Sequence, residues 1–77
     1  MNNLNRQELR KAIDYLQRAH EIIDSLKESE REKFDNLNEG LQAAEAGQKL
    51  EQNADSLDYI YDDLDGMIDS INEIIGG

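Results

Sequence analysis

The stretch LEQNADSLDYIYDDLDGMIDSINEII, residues 50–75, decides the fold of this chain. Apolar side chains recur in it at alternating four- and three-residue steps, at Leu50, Ala54, Leu57, Tyr61, Leu64, Ile68, Ile71 and Ile75. This spacing places them along one side of an α-helix and is typical of the seam of a coiled coil or helical bundle. Ile60, Met67 and Ile74 widen that seam by one position per heptad, which favours contact with more than one neighbouring helix. We predict a long amphipathic helix over residues 43–75.

The same stretch is acidic. From residue 50 onward the chain carries eight carboxylates and no Lys or Arg. Five aspartates recur at three- or four-residue steps and form one stripe on a helix, namely Asp55, Asp58, Asp62, Asp65 and Asp69. A solvated face that keeps a small protein soluble is one interpretation. A surface that a partner recognises is the other, and the complete lack of interspersed bases favours it, because helices tuned for solubility usually mix both signs.

The composition limits the function classes. Eighteen acidic and eight basic residues give a net charge of −10, which argues against direct binding of nucleic acid or of anionic membranes and favours a basic protein surface. A chain of 77 residues forms one small domain with a modest core, and it has no Cys for disulfides, so we expect a homo-oligomer. The polar N-terminus and the lack of a long apolar run predict a cytoplasmic protein without a signal peptide or membrane span.

The N-terminal half predicts a first helix over residues 5–27. Asn5 and Glu8 have capping-box spacing, and an apolar stripe follows at Leu9, Ala12, Ile13, Leu16, Ala19, Ile23 and Leu26. Residues 27–33 have no apolar side chain, and Ser29 with Glu32 repeats the capping-box spacing. We therefore predict a short second helix over residues 29–38, and a bent continuous helix remains the alternative.

The predicted fold is all-α, either a helical hairpin or a three-helix arrangement, assembling into a homo-oligomeric bundle. The residues expected to line the interface between chains are Leu57, Ile60, Leu64, Met67, Ile68 and Ile71. If the first and last helices pack antiparallel, Arg6, Arg10 and Lys11 come alongside residues 65–73 and neutralise part of the acidic stripe.

Residue types that carry chemistry are sparse. The segment Asp62-Asp63-Leu64-Asp65-Gly66 lacks the first and last ligands of a calcium loop, and the helical seam runs through it. His20 has no partner at metal-binding spacing, so we interpret it as an edge histidine half covered by a neighbouring helix. No nucleophile, acid–base pair or phosphate-binding glycine loop is recognisable. We predict no catalytic residue, no metal and no cofactor.

The segment EREKFDNLNEGLQAAEAGQKLEQNADSLD, residues 30–58, carries a family resemblance. Its Phe34-Asp35-Asn36-Leu37 step, its Leu41-Gln42 pair and the acidic heptads that follow resemble small acidic helical proteins of bacterial phages and mobile elements. Those proteins often have Pro where this chain has Asn38, and polar residues in place of 43–46. The resemblance implies a phage or mobile-element origin and brings no catalytic residues with it.

Two functions follow as hypotheses. The first is a non-enzymatic inhibitor of anti-CRISPR or antirestriction type, whose carboxylates stand in for DNA phosphates on a host defence nuclease or another DNA-binding protein. Its binding residues are Asp55, Asp58, Asp62, Asp65 and Asp69, with Tyr59 as an aromatic anchor. The second is a self-associating structural bundle with a merely solvated acidic face.

Overall fold

The computed structural model describes residues 1–77, which form three helices and no strand. Helix α1 spans Asn3–Asp35, α2 spans Glu39–Ala43 and α3 spans Glu45–Gly76. The two long helices pack against each other in opposite directions, and α2 forms the corner between them. The result is a helical hairpin that measures 58 × 15 × 14 Å. The all-α class and the long C-terminal helix are confirmed, while assembly into an oligomer stays a prediction.

Helix α1 is continuous as far as Asp35, so the predicted division into helices at 5–27 and 29–38 is wrong, and the alternative of one continuous helix through residues 27–33 is the one observed. The segment between Lys27 and Lys33 lacks apolar residues, but it also lacks Pro and Gly, so nothing interrupts the backbone hydrogen bonds. Lys27 and Arg31 face α3 and form ion pairs with its carboxylates. These ion pairs take the place of the apolar contacts made by the preceding turns of α1. The polar segment therefore continues the interface between α1 and α3 through ion pairs.

Asparagine side chains begin the first two helices. The Asn2 side chain accepts a hydrogen bond of 2.8 Å from the backbone N–H of Asn5, so Asn2 is the N-cap and the predicted capping box at Asn5 lies one turn inside the helix. Asn38 caps α2 in the same way, through the N–H of Leu41 at 2.9 Å. The short helix α2 therefore begins at Glu39, directly after the residues 29–38 that were predicted for it.

The corner between α2 and α3 depends on a close backbone approach. Gly47 is buried in the first turns of α3, against the backbone of Leu41 and Gln42. A Cβ atom at this position would lie 2.7 Å from the Gln42 carbonyl oxygen and closer still to that of Leu41. Gly47 therefore allows α2 to fold back onto α3.

The core is a narrow seam between α1 and α3. Ile13, Ala54 and Ile68 are its buried apolar residues, and Gly47 is the fourth buried residue of the chain. The remaining seam positions are half-buried, because two helices cover only one side of each other. They are Leu9, Leu16, Ile23, Phe34, Leu50, Leu57, Tyr61, Leu64, Ile71 and Ile75. The heptad pattern thus predicted which side of α3 faces a neighbouring helix.

None of the helices combines the length and the hydropathy that crossing a bilayer requires.

Candidate functional site

The aspartate stripe of α3 lies on the surface of the hairpin. Asp55, Asp58, Asp62, Asp65 and Asp69 are all exposed, as is the Tyr59 side chain at 74%. Asp55, Asp58, Tyr59 and Asp62 line a shallow depression in which the aromatic ring is surrounded by carboxylates. The residues predicted to bind a partner therefore share one accessible surface.

Two bases of α1 reach the first part of this stripe. The Arg31 guanidinium donates to Asp55 Oδ1 at 2.9 Å, and Lys27 Nζ lies 3.4 Å from Asp58 Oδ1. Lys27 also lies 3.4 Å from Asp24 Oδ1 on its own helix and 4.3 Å from the centre of the Tyr61 ring. Both aspartates of α3 keep more than half of their side-chain surface exposed, so they stay accessible while part of their charge is neutralised.

These contacts raise the pKa values of the two bases. The hydrogen bond and charge of Asp55 raise the pKa of Arg31, against a smaller effect of desolvation. For Lys27, desolvation lowers the pKa, but the combined hydrogen bonds and charges of Asp24 and Asp58 outweigh it and hold the pKa above 10.5. Both bases therefore stay charged at neutral pH.

Asp62, Asp65 and Asp69 form no ion pair. The prediction that Arg6, Arg10 and Lys11 neutralise this region is wrong in its contacts. Arg6 Nη1 approaches Asn3 at 3.4 Å, and Lys11 pairs with Glu8 on its own helix at 3.0 Å. Arg10 and Lys11 are exposed, because they follow the half-buried Leu9 directly and lie outside the seam of α1. The free part of the stripe is therefore its C-terminal part.

Helix α1 adds carboxylates that sequence reasoning did not place here. Asp24, Glu28 and Asp35 lie beside Lys27, Arg31 and Asp58, through the Lys27 ion pairs and a shared groove. Seven-residue steps carry the same edge of α1 through Asp14 and Glu21. In the sequence, Asp14, Glu21, Glu28 and Asp35 recur at seven-residue steps. This repeat assigns them to the side of the α3 stripe only once the antiparallel packing of the helices is known. The acidic face is defined by Asp14, Glu21, Asp24, Glu28, Asp35, Asp55, Asp58, Asp62, Asp65 and Asp69.

The charge density of the acidic face approaches that of a DNA strand. Residues 14–35 of α1 span about 32 Å at about 1.5 Å per residue, and the α3 stripe lies alongside. Ten carboxylates less the two bases of the ion pairs leave about one negative charge per 4 Å of that length. One DNA strand carries one charge per about 3.4 Å of axis. Arg18 lies beside Asp14 and Glu21 at the α1 border of the face.

The residues predicted for an interface between chains divide into two groups. Ile68 is buried, and Leu57, Leu64 and Ile71 are half-buried in the seam, so these four side chains pack within the hairpin. Ile60 and Met67 stay exposed, at 43% and 53%. The sequence pattern could not separate the two groups because both belong to one wide apolar face of α3.

His20 is half-buried and stacks on Tyr61, with the ring centres 3.9 Å apart and the planes at 21°. The interpretation of His20 as an edge histidine covered by a neighbouring helix is confirmed. The Asp62–Gly66 segment is helical, as its seam positions predicted, and does not form a calcium-type loop. No group of three or more His, Asp or Glu residues has the geometry of a metal site.

Comparison with protein-family models, curated proteins and solved structures gives no match for this chain.

Proposed function

We propose that this protein is a non-enzymatic acidic interaction protein that binds a basic protein surface in place of DNA. The observation that carries the proposal is the unpaired state of Asp62, Asp65 and Asp69 on an exposed helix face. The chain has eight basic residues that could pair with these three aspartates. Two of them form ion pairs with the stripe, and they pair with Asp55 and Asp58 instead. Repulsion among the free carboxylates is unfavourable for the isolated hairpin and is relieved by a cationic partner.

The shape of the molecule supports DNA-like binding. A rod 58 Å long presents its carboxylates in two parallel rows, one on each long helix. Adjacent acids in the α3 row are about 5–6 Å apart. Long-range attraction to a basic channel accelerates association, and Tyr59 supplies a large exposed side chain inside the acidic face for a contact of short range.

The partner class proposed is a host defence nuclease, which would make the protein an inhibitor of anti-CRISPR or antirestriction type, or another DNA-binding protein. The resemblance of residues 30–58 to small acidic proteins of phages and mobile elements supports this choice of target. The proposed place of action is the bacterial cytoplasm, where those enzymes meet DNA.

The test is competition with DNA. The protein is titrated against a panel of restriction endonucleases, RNA-guided nucleases and nucleoid DNA-binding proteins, each loaded with labelled duplex DNA, at low and high salt. We expect displacement of DNA from at least one member at low salt, and weaker displacement at high salt because screening reduces charge–charge attraction.

A pair of triple variants assigns the effect to the acidic face. Asp62→Asn, Asp65→Asn and Asp69→Asn together remove three charges with little change in shape, and we expect the association rate to fall about tenfold or more. The matched control neutralises Glu8, Glu39 and Glu45, which lie outside the face. Its net charge changes from −10 to −7, as that of the first variant does. Equal loss in both variants, or no displacement from any panel member, would contradict the proposal.

The alternative function is a structural bundle whose acidic face is only solvated. The exposed Ile60, Met67 and Ile74 side chains favour it, because they offer an apolar surface for assembly. It predicts that the Asn triple variant behaves like the wild type in every binding assay.

A further inference from the structure

One side of the hairpin is apolar over residues 12–26 of α1 and 60–74 of α3, and we define this surface as the apolar flank. From α3 it takes Ile60, Met67 and Ile74, each one position before a seam residue. From α1 it takes Ala12, Ala19 and Leu26, which directly precede Ile13, His20 and Lys27, three residues that face α3. In antiparallel helices these positions lie on the same side of the interface. Met67 lines a groove there together with the seam residues Leu16 of α1 and Ile71 of α3.

The large apolar side chains of the flank are exposed, whereas Ala12 and Ala19 are half-buried. Leu26, Ile60, Met67 and Ile74 are each between 43% and 53% exposed, and Ile22 beside them is 52% exposed. A row of large aliphatic side chains exposed to this extent is a mark of an interaction surface. Single exposed apolar residues need no explanation, but a heptad-spaced row on both helices does.

We propose that the apolar flank is the surface through which two copies of this chain associate into a four-helix bundle. The hairpin exposes 5692 Å², whereas a compact monomer of 8.8 kDa exposes about 4,800 Å². The excess of about 900 Å² per chain matches the roughly 800 Å² that each partner buries in a stable interface. A second hairpin laid along the flank therefore covers the surface that one hairpin leaves open.

Charge selects the flank for self-association. Each chain carries a net charge of −10, so two copies repel each other if they meet through their acidic faces. The flank lies on the opposite side of the hairpin from the Lys27 and Arg31 ion pairs, and Asp63 is its main carboxylate. Glu30, Lys33 and Lys49 line the same side near the corner, and the two bases offset the charges of Asp63 and Glu30. Two copies can thus approach with their acidic faces pointing outward.

The first test is the mass of the protein in solution. Sedimentation equilibrium of the wild type is expected to give twice the chain mass of 8.8 kDa. Met67→Asp places a charge in the flank and is expected to give the monomer mass with its helical circular dichroism retained. Asn72→Asp adds the same charge at an exposed position on the acidic side and is expected to stay dimeric. A monomeric wild type, which leaves the flank to a different protein, overturns the proposal.

A cross-linking test decides the matter if Met67→Asp fails to fold. The chain has no Cys, so one introduced thiol reports one position. Ile60 lies at the middle of α3 and therefore close to a two-fold axis for either relative orientation of two hairpins. We expect Ile60→Cys to form a disulfide-linked dimer on mild oxidation and Tyr59→Cys, its neighbour on the acidic side, to form no disulfide between chains. Equal cross-linking of both variants would indicate random collision and refute the interface.

Discussion

The two halves of the hairpin hold the same pair of helices together by different means. In the corner half, between Lys27 and Asp58, the buried residues are Gly47 and Ala54, and two ion pairs join the helices. In the open half, formed by residues 3–23 and 60–76, the buried residues are Ile13 and Ile68, and no ion pair crosses between the helices.

The difference shows how a 77-residue chain with four buried residues stays folded along its whole length. Small buried residues occupy the corner half, where Gly47 lies against the backbone of α2, and charged side chains bridge the two long helices at its edge. Larger aliphatic residues and the stack of His20 on Tyr61 fill the helix–helix interface of the open half. Substitutions in each half therefore have different physical consequences.

The largest expected effect on stability comes from truncating a buried side chain in the open half. Ile68→Ala truncates a side chain in a residue that is 7% exposed, and we expect the free energy of unfolding to fall by about 2–3 kcal/mol. This is a large part of the stability that such a small core supplies. Urea unfolding followed by far-UV circular dichroism measures the change, with the exposed Leu4→Ala as a control that leaves stability within about 0.5 kcal/mol.

Gly47→Ala tests the close packing of the corner half. The added methyl group would collide with backbone atoms of Leu41 and Gln42, which cannot move aside as a flexible side chain does. We expect a loss of about 1–3 kcal/mol in the free energy of unfolding. Unchanged stability in the same urea titration would show that the corner is not tightly packed.

Gly66→Ala sharpens the comparison from the other half. Gly66 lies inside α3, its backbone is helical, and no neighbouring atom lies within 4 Å of the point that an alanine methyl group would occupy. Replacement by Ala should stabilise the protein by about 0.5–1 kcal/mol, because Ala has the higher helix propensity. Opposite signs for the same substitution at positions 47 and 66 would separate the halves, and equal signs would contradict their different packing.

Arg31→Gln tests the bridging role of charge in the corner half. The Arg31–Asp55 pair is partly exposed, so we expect a decrease in thermal stability smaller than that of Gly47→Ala. High salt should reduce the difference from the wild type because it screens the pair. Arg18→Gln, which removes a charge outside the ion pairs, serves as the control in calorimetry at both salt concentrations.

Lys27→Met gives a pH-dependent readout of the same half. Because the folded protein holds the pKa of Lys27 above its usual 10.5, the ammonium contributes stability that is fully present below pH 10.5. That contribution is lost as the pH rises through the folded-state pKa. The stability difference between wild type and variant should therefore be constant near neutral pH and shrink above pH 10.5; a difference that grows there would contradict the assignment.

The open half was the more predictable from sequence. Its seam repeats apolar residues at heptad spacing, and periodicity alone therefore predicted the helix over 43–75, close to the observed Glu45–Gly76. In the corner half the seam of α1 is polar, and its partners Asp55 and Asp58 lie far away in sequence. A pattern read along one segment has no access to partners supplied by another, so a break near residue 28 was predicted where the helix continues.

The candidate site divides in the same way. The exposed stripe on α3 followed from the spacing of its aspartates, since the seam fixed which side faces outward. The acids of α1 did not, because their position relative to the stripe depends on how the two helices align. Asn38 could have been recognised as an N-cap, since an Asn directly before Glu39 is a favoured helix start.

The separation of the acidic face from the apolar flank has a consequence for stoichiometry. A pair of hairpins joined along their flanks would display two anionic rows pointing in opposite directions, each complete within one chain. Such an assembly would be bivalent and would fit between two cationic grooves that face each other across a dimeric target. On a target of that kind the second contact is intramolecular, and a modest affinity per row becomes a long residence time.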